Sequence, residues 1–426
     1  MKDEGDEQRP VTRRALLAGA AGALGAAALA GTPRLVRGQQ GAKAAPAPLT
    51  PADPTKAPGA PTSELGARSA FVHPVRGPTG EIAGSSSTPL QDLTGTITPS
   101  DLHFEVHHAG VPRIDPAQHT LLVHGLVDRP TTFSLADLKR FPQVTRIHFI
   151  ECAGNGVLAW RGNVLGRSDP GLTPQQVAGM TSNSEWTGVL LRSLLEEAGV
   201  QKHATWFLAE GGDASLMARS IPIEKAMDDA IVAWAQNGEP LRPEQGFPMR
   251  LLLPGWEGNT NVKWLRRLEL GTRPWMTRWE TATYTDPLID GTARQFSFEM
   301  DAKSIITSPS HPDTIERGWR SISGLAWSGR GRIARVEIST DAGTTWQDAT
   351  LEGQPLPKAH TRFTQMWNWQ GAEAILMSRA TDDTGYVQPT RAELIRVRGP
   401  GTAYHYNPIY GWRVMANGRV FFHGST

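Results

Sequence analysis

Cys152 is the only cysteine in a chain of 426 residues. It follows a run, residues 144–150, that alternates well enough to be a strand. It precedes Ala153, Gly154, Asn155 and Gly156, which must form a tight turn because Gly and Asn tolerate positive φ. A thiol at a strand end, facing a glycine turn, is held on rigid backbone with open space before it. That placement suits a metal ligand or a nucleophile. It suits equally a small buried side chain, a common fate of free cysteine.

The surrounding chain narrows the choice. Lys and Arg number 43 against 42 Asp and Glu, a net charge of +1, so no cationic excess points to nucleic acid or an anionic membrane. The 44 Gly and 32 Pro favour a loop-rich, β-rich protein over a helical bundle. The length suggests two or three domains. Arg13 and Arg14 precede a weakly apolar run, residues 15–31, built mostly of Ala, Gly and Leu, and Ala28-Leu29-Ala30 fits a small-residue cleavage site. The run is too short and too rich in Gly and Ala for a good membrane span, which sets aside an uncleaved anchor helix. Paired arginines before such a run read as a twin-arginine signal over residues 1–31, a route that exports folded, cofactor-loaded proteins to a bacterial periplasm. No membrane span remains after cleavage. A lone thiol there cannot close an internal disulfide and is at risk of oxidation unless buried or committed to a metal, so export favours the ligand reading of Cys152.

The elements that position the thiol come next. Residues 32–98, rich in Pro, Ala, Gly, Ser and Thr, read as a tether, with residues 71–74 docking on the body. Over residues 99–295, strands are expected at 119–127, 144–150, 205–209, 249–253 and 262–270. Ser134 with Asp137 caps a helix, and Gly199 ends an amphipathic helix over 190–198. Helices and strands intermix without regular alternation, which predicts an α+β domain. From 296 to 426 the pattern is all-β, with short strands at 322–327, 333–339, 345–351, 374–380 and 394–397 and a last hairpin turned at Asn417-Gly418. In the 333–339 strand, Ala334, Val336 and Ile338 are expected on one face and Arg335 and Glu337 on the other. This predicts an immunoglobulin-like sandwich without its disulfide.

Several stretches in order resemble the sulfite oxidase family of molybdopterin enzymes. They are Cys152-Ala153-Gly154-Asn155, Ser184-Glu185-Trp186-Thr187-Gly188-Val189, Asn237-Gly238, Gly246-Phe247-Pro248-Met249-Arg250 and Val262-Lys263-Trp264-Leu265-Arg266-Arg267. Gly324-Leu325-Ala326-Trp327-Ser328-Gly329 and the segment Ser339 to Trp346 resemble that family's β-sandwich dimerisation domain. The stretches at 235–239, 253–259 and 404–407 are similar to the sulfane-dehydrogenase branch.

The resemblance implies a molybdenum-molybdopterin cofactor, with Cys152 as the metal's protein ligand. A thiolate is a soft, anionic donor suited to a metal already held by the pterin's sulfurs. It implies that Arg250 and Lys263 meet the pterin phosphate, and that Asp213 accepts from the pterin ring. His107, His108, Gln245, Asn261 and Val262 fall at cofactor-contacting positions. Glu151 or a histidine is a candidate to move protons. The family arginine that holds an oxyanion aligns with Val106, and the expected tyrosine near the metal with Trp234; Arg219 is a candidate replacement cation. The implied activity is oxidation of sulfane sulfur carried as a persulfide on a partner protein's cysteine, with electrons leaving through a c-type cytochrome. The chain has no C-x-x-C-H motif, so that haem must lie on another chain. A homodimer core is implied. Two rival readings stay open: a sulfite dehydrogenase, and a cofactor-binding scaffold that has lost turnover.

Overall fold

The computed structural model describes residues 61–164, 169–401 and 403–425. The expected signal over 1–31, and the first part of the expected tether, lie outside the described residues. Among the described residues no helix is long and apolar enough to cross a membrane.

Residues Arg68–Thr426 form one compact unit. The latter part of the expected tether therefore belongs to the body. Strand Ser85–Ser87 pairs with Glu105–Val106, Leu90 is fully buried in a core cluster, and the Thr88 and Ser182 hydroxyls bond at 2.6 Å. Composition suggested a tether because apolar residues are sparse, yet edge pairing and buried polar anchors fix the segment. The expected docking of residues 71–74 is not seen: Phe71 is 94% exposed and Val72 55%.

The cysteine strand, Gln143–Glu151, runs antiparallel to Thr181–Leu190 along its whole length, from Gln143 opposite Val189 to Glu151 opposite Thr181. Ile231–Gln236 continues this sheet and carries both Glu239–Pro240 and Arg250–Leu252. A second sheet runs Thr131–Ser134, Thr120–Gly125, Leu265–Gly271, Trp206–Gly211, Ala218–Pro222, with one parallel pair between Thr120–Gly125 and Leu265–Gly271. Helix Leu191–Ala198 buries Leu191, Leu194, Leu195 and Ala198, the i, i+3, i+4, i+7 face its sequence dictates, and Gly199 ends it at φ 74°. Burying each of those leucines contributes about 1.5–3 kcal/mol. Ser134 and Asp137 form the expected capping box, although the helix is a single turn.

The C-terminal half is a two-sheet sandwich. One sheet is Lys303–Ser308, Gly318–Trp327, Thr361–Trp369, Thr350–Leu351; the other is Gln347–Asp348, Ile333–Ser339, Ala374–Asp382, Tyr410–Val414, Val420–Ser425. Ile305, Ile322, Leu325 and Phe363 from one and Val336, Ile338, Leu376 and Trp412 from the other share a core cluster. Three expectations fail locally. The strand expected over 345–351 is two short ones in different sheets, Gln347–Asp348 and Thr350–Leu351. Residues 394–397 are helical, inside Arg391–Arg398, because Thr390 caps that helix and Glu393 closes a capping box the apolar run concealed. In Ile333–Ser339 a bulge between Ile333 and Arg335 leaves Ala334 exposed and turns Ile333 inward.

Candidate active site

Cys152 stands one residue past its strand and is tied at both ends. Its N–H donates to the Met180 carbonyl at 2.9 Å, and its carbonyl accepts from Asn155 N–H at 2.9 Å. Gly156 sits at φ 110°, and a Cβ there would come within 2.8 Å of the Tyr410 hydroxyl, so the glycine turn lets the sandwich close over it. On the other side Gly258 passes so close that a Cβ would lie 2.9 Å from the Glu151 carbonyl and 3.2 Å from Cys152 Cα. Burial, followed by the nearby carboxylates of Glu151 and Glu257, pushes the thiol up to about 11.

The thiol lines a cleft that opens to solvent, with about 680 Å³ of empty space once that open solvent is counted. His107, His108, Asp213, Gln245, Arg250, Asn261, Val262 and Lys263 all line the same cleft, so the structure brings together every expected cofactor-binding residue. Their local bonds differ. Arg250 is buried, donates to the carbonyls of Gln245 and Asn261 at 3.0 Å each, and lies 5.1 Å over the Trp186 ring. Lys263 Nζ donates to the carbonyls of Val106 and Glu244, both at 3.0 Å, and to His107 Nδ1 at 2.9 Å. His107 Nε2 then donates to Glu105 at 3.0 Å. Burial holds Arg250 down at about 9, and burial with the adjacent Arg250 charge holds Lys263 at about 7. Gly246, at φ 106°, permits their approach: a Cβ there would be 3.1 Å from both side chains. Asn261 positions the chain, accepting from Leu253 N–H at 2.7 Å and donating to the Glu257 carbonyl at 3.0 Å. Gln245 donates to the Phe104 carbonyl at 2.9 Å, and Asp213 accepts from Met217 N–H at 3.2 Å.

The remaining expected site residues lie elsewhere. Trp234 is buried in a core cluster with Val189, Val232 and Leu251 and does not line the cleft. A different residue puts a phenol in the cleft: Tyr284 lines it and shares a hydrogen bond with His108 Nε2 at 3.1 Å. Burial and the Cys152 and Glu257 charges hold its hydroxyl well above the usual tyrosine range, so it stays a donor. Arg219 does not line the cleft either. It is fully buried behind the wall, 5.0 Å beneath the Tyr284 ring, paired with Glu280 at 3.2 Å and Glu257 at 3.3 Å. Glu151 is fully buried and turned toward the sandwich, where it meets Lys303, Trp327 and Asn155. It is cut off from the cleft and cannot serve as the proton carrier there.

Sequence reading missed Tyr284, Glu257, Tyr404 and His405. His405 N–H donates to the Ala153 carbonyl at 2.8 Å and its Nε2 meets Glu257 Oε2 at 3.3 Å; the Tyr404 and Tyr284 rings lie 5.5 Å apart. A signal existed for three of them. Glu257 lies in the 253–259 stretch and Tyr404 and His405 in the 404–407 stretch, both of which resembled the family, yet neither stretch has a spacing that links it to Cys152.

The residues fit a molybdenum-pterin group on two counts. Among the described residues no three His, Cys, Asp or Glu side chains converge as a metal site, so a metal at Cys152 takes its other ligands from a cofactor. Arg250 is a buried cation and Lys263 a half-buried one, their bonds run to backbone carbonyls, and Arg250 Nε has no partner, an arrangement that fits an anion.

Fold and site together define a molybdopterin oxidoreductase. Residues 108–279 match the oxidoreductase molybdopterin binding domain and residues 294–411 the Mo-co oxidoreductase dimerisation domain. The chain belongs to the sulfite oxidase family. It is 31% identical over 381 residues to human mitochondrial sulfite oxidase, covering 83% of this chain and 69% of that one. It is 32% identical over 331 residues to the rat enzyme, covering 71% of this chain and 59% of that one, so it spans about three fifths of the rat protein's length. Among solved structures it is similar to the sulfane dehydrogenase SoxCD from Paracoccus pantotrophus, with a TM-score of 0.83 and 44% identity, over 86% of this chain and 96% of that one.

Proposed function

We propose that this chain is the molybdenum subunit of a periplasmic sulfane dehydrogenase. Its substrate is a sulfane sulfur borne as a persulfide on a carrier protein's cysteine, and its electrons pass to a c-type cytochrome on another chain. The sandwich pairs two copies into a homodimer core. The likeness to SoxCD supports the class of substrate and the cytochrome, and the paired arginines of the N-terminus support export.

The observation that carries the choice of sulfane over sulfite is the charge around Cys152. Val106 stands in the cleft where an anion-binding arginine was expected, and Arg219 is fully buried behind Tyr284 with two carboxylates on it. The cations that do line the cleft, Arg250 and Lys263, are the ones this reading gives to the cofactor phosphate, so a free dianion such as sulfite has no cation of its own, whereas a carrier-borne sulfur brings its own binding energy from the carrier surface.

When bound, the molybdenum cofactor supplies the oxygen-transfer and electron-accepting chemistry. The chain's own residues do the rest. Cys152 binds the metal. Arg250 and Lys263 hold the phosphate. Tyr284 presents a phenol proton to the reacting centre, and His108, bonded to it, orients it and is held neutral by burial.

The test is anaerobic mixing of the loaded enzyme with a protein persulfide or with sulfite, read by the paramagnetic signal of the reduced metal. Rapid reduction by the persulfide and slow reduction by sulfite is expected. The reverse order supports a sulfite dehydrogenase, and reduction by neither, a scaffold.

A further inference from the structure

Glu151 precedes the metal ligand, yet its side chain faces away from the cleft. Its carboxylate is fully buried and takes three donors: Lys303 Nζ at 3.0 Å, Asn155 Nδ2 at 2.9 Å and Trp327 Nε1 at 2.6 Å. Lys303 is 2% exposed and Trp327 0%. Lys303 and Trp327 are directly opposite each other on the first two strands of the sandwich. Lys303 also donates to the Asn155 carbonyl at 3.0 Å. One ammonium thus grips both ends of the five-residue stretch from Glu151 to Asn155, which contains Cys152. Asn155 adds the third side: its Oδ1 accepts from Met180 N–H at 3.1 Å, and Met180 in turn holds Cys152 N–H.

This is an expensive arrangement in which to place a charge. A glutamine before the cysteine would fill the same volume without a buried ion, and a buried ion pair is weak evidence for stability alone. What the pair provides is a fixed geometry that spans the two domains and meets at one turn.

We propose that Glu151 and Lys303 are positioning residues for Cys152: the sandwich domain, through this ion pair, sets the direction in which the thiol meets the metal. The sandwich is therefore part of the metal site as well as a dimerisation surface. The claim rests on Cys152 being the metal ligand. Outer partners of a ligand commonly change metal affinity or activity about 10- to 100-fold when removed.

The experiment compares wild type, the Glu151→Gln/Lys303→Met double variant and Trp327→Phe, which removes one donor and keeps the ring. The metal-free proteins are assayed for the rate of Cys152 alkylation by iodoacetamide, and the loaded proteins for the paramagnetic spectrum of the reduced metal. Melting temperature is measured throughout. The double variant is expected to alkylate about tenfold faster or more and to show altered metal spectra. Trp327→Phe is expected to shift both in the same direction by less. Wild-type alkylation and wild-type spectra in a folded double variant, whatever its melting temperature, would show a stability element only and overturn the proposal. If the double variant does not fold, Trp327→Phe decides: unchanged signals overturn it. Wild-type protein that never takes up molybdenum sinks the proposed function instead, and the alkylation comparison remains separate from that outcome.

Discussion

Two charged neighbourhoods border the cleft on opposite plans, one in its lining and one behind its wall. Around Arg250 and Lys263 the positive charge meets backbone carbonyls and a histidine nitrogen. Around Cys152 the charges are already matched: Arg219 by Glu257 and Glu280, Glu151 by Lys303. The first set is an unfinished ion pair that awaits an anion. The second has its charges paired, although Arg219 Nη1 is left without a hydrogen-bond partner, and the cleft beside it presents the thiol and the Tyr284 hydroxyl. On the proposed function, the difference gives the two sides different tasks: holding a phosphate and doing chemistry on a sulfur.

The largest break comes on the cysteine side. Cys152→Ser should cost more than the roughly 100-fold loss typical of a ligand's outer partners, measured as kcat per bound metal. Tyr284→Phe should lower kcat about 100-fold with molybdenum content unchanged, as removal of a positioned proton donor does. On the other side, Arg250→Met should empty the site rather than slow it. The loss of one charged hydrogen-bonding group, about 1.5–3 kcal/mol, predicts roughly 10- to 150-fold weaker cofactor retention, with lysine a poor substitute for the forked guanidinium.

The pH response sharpens the same contrast. With its side chain at about 7 in the empty cleft, Lys263 is deprotonated more readily than in the unfolded chain. Between about 7 and the ordinary 10.5 the unfolded chain binds more protons, so the empty protein should gain stability as pH rises through that window. Cofactor binding needs the ammonium, so uptake should weaken above about pH 7, and Lys263→Met should flatten both profiles. Calorimetry and metal content across pH check this. The smallest effect is expected from Trp234→Phe, which should cost about 1–2 kcal/mol of stability and leave kcat unaltered, because that ring fills a core.

How much of this was legible depended on whether a residue's role is set locally. The thiol at a strand end and the αL glycine after Leu191–Ala198 follow from neighbours in sequence. So does the all-β C-terminal half, apart from residues 394–397, where an apolar run masked a Thr390–Glu393 capping box. Arg250 and Lys263 were legible only through the family resemblance, since cations bordering apolar strands are as often solvated surface charges, and the structure has both in the cleft. Trp234 was read as the residue near the metal because it precedes an Asn-Gly turn, but the alternation of its strand sends the ring into the core.

The amino-acid sequence by itself determined that a single thiol stands before a glycine turn, that two domains of different class follow one another, and that no cationic excess is present. Tertiary structure decided which tyrosine faces the thiol, where Arg219 spends its charge, and that Glu151 serves the sandwich rather than the cleft. The physical reason is range. Strand alternation and capping act over a few residues, whereas Cys152 comes to share a cleft with Tyr284, and Glu151 meets Lys303, only when chain segments more than a hundred residues apart are packed together.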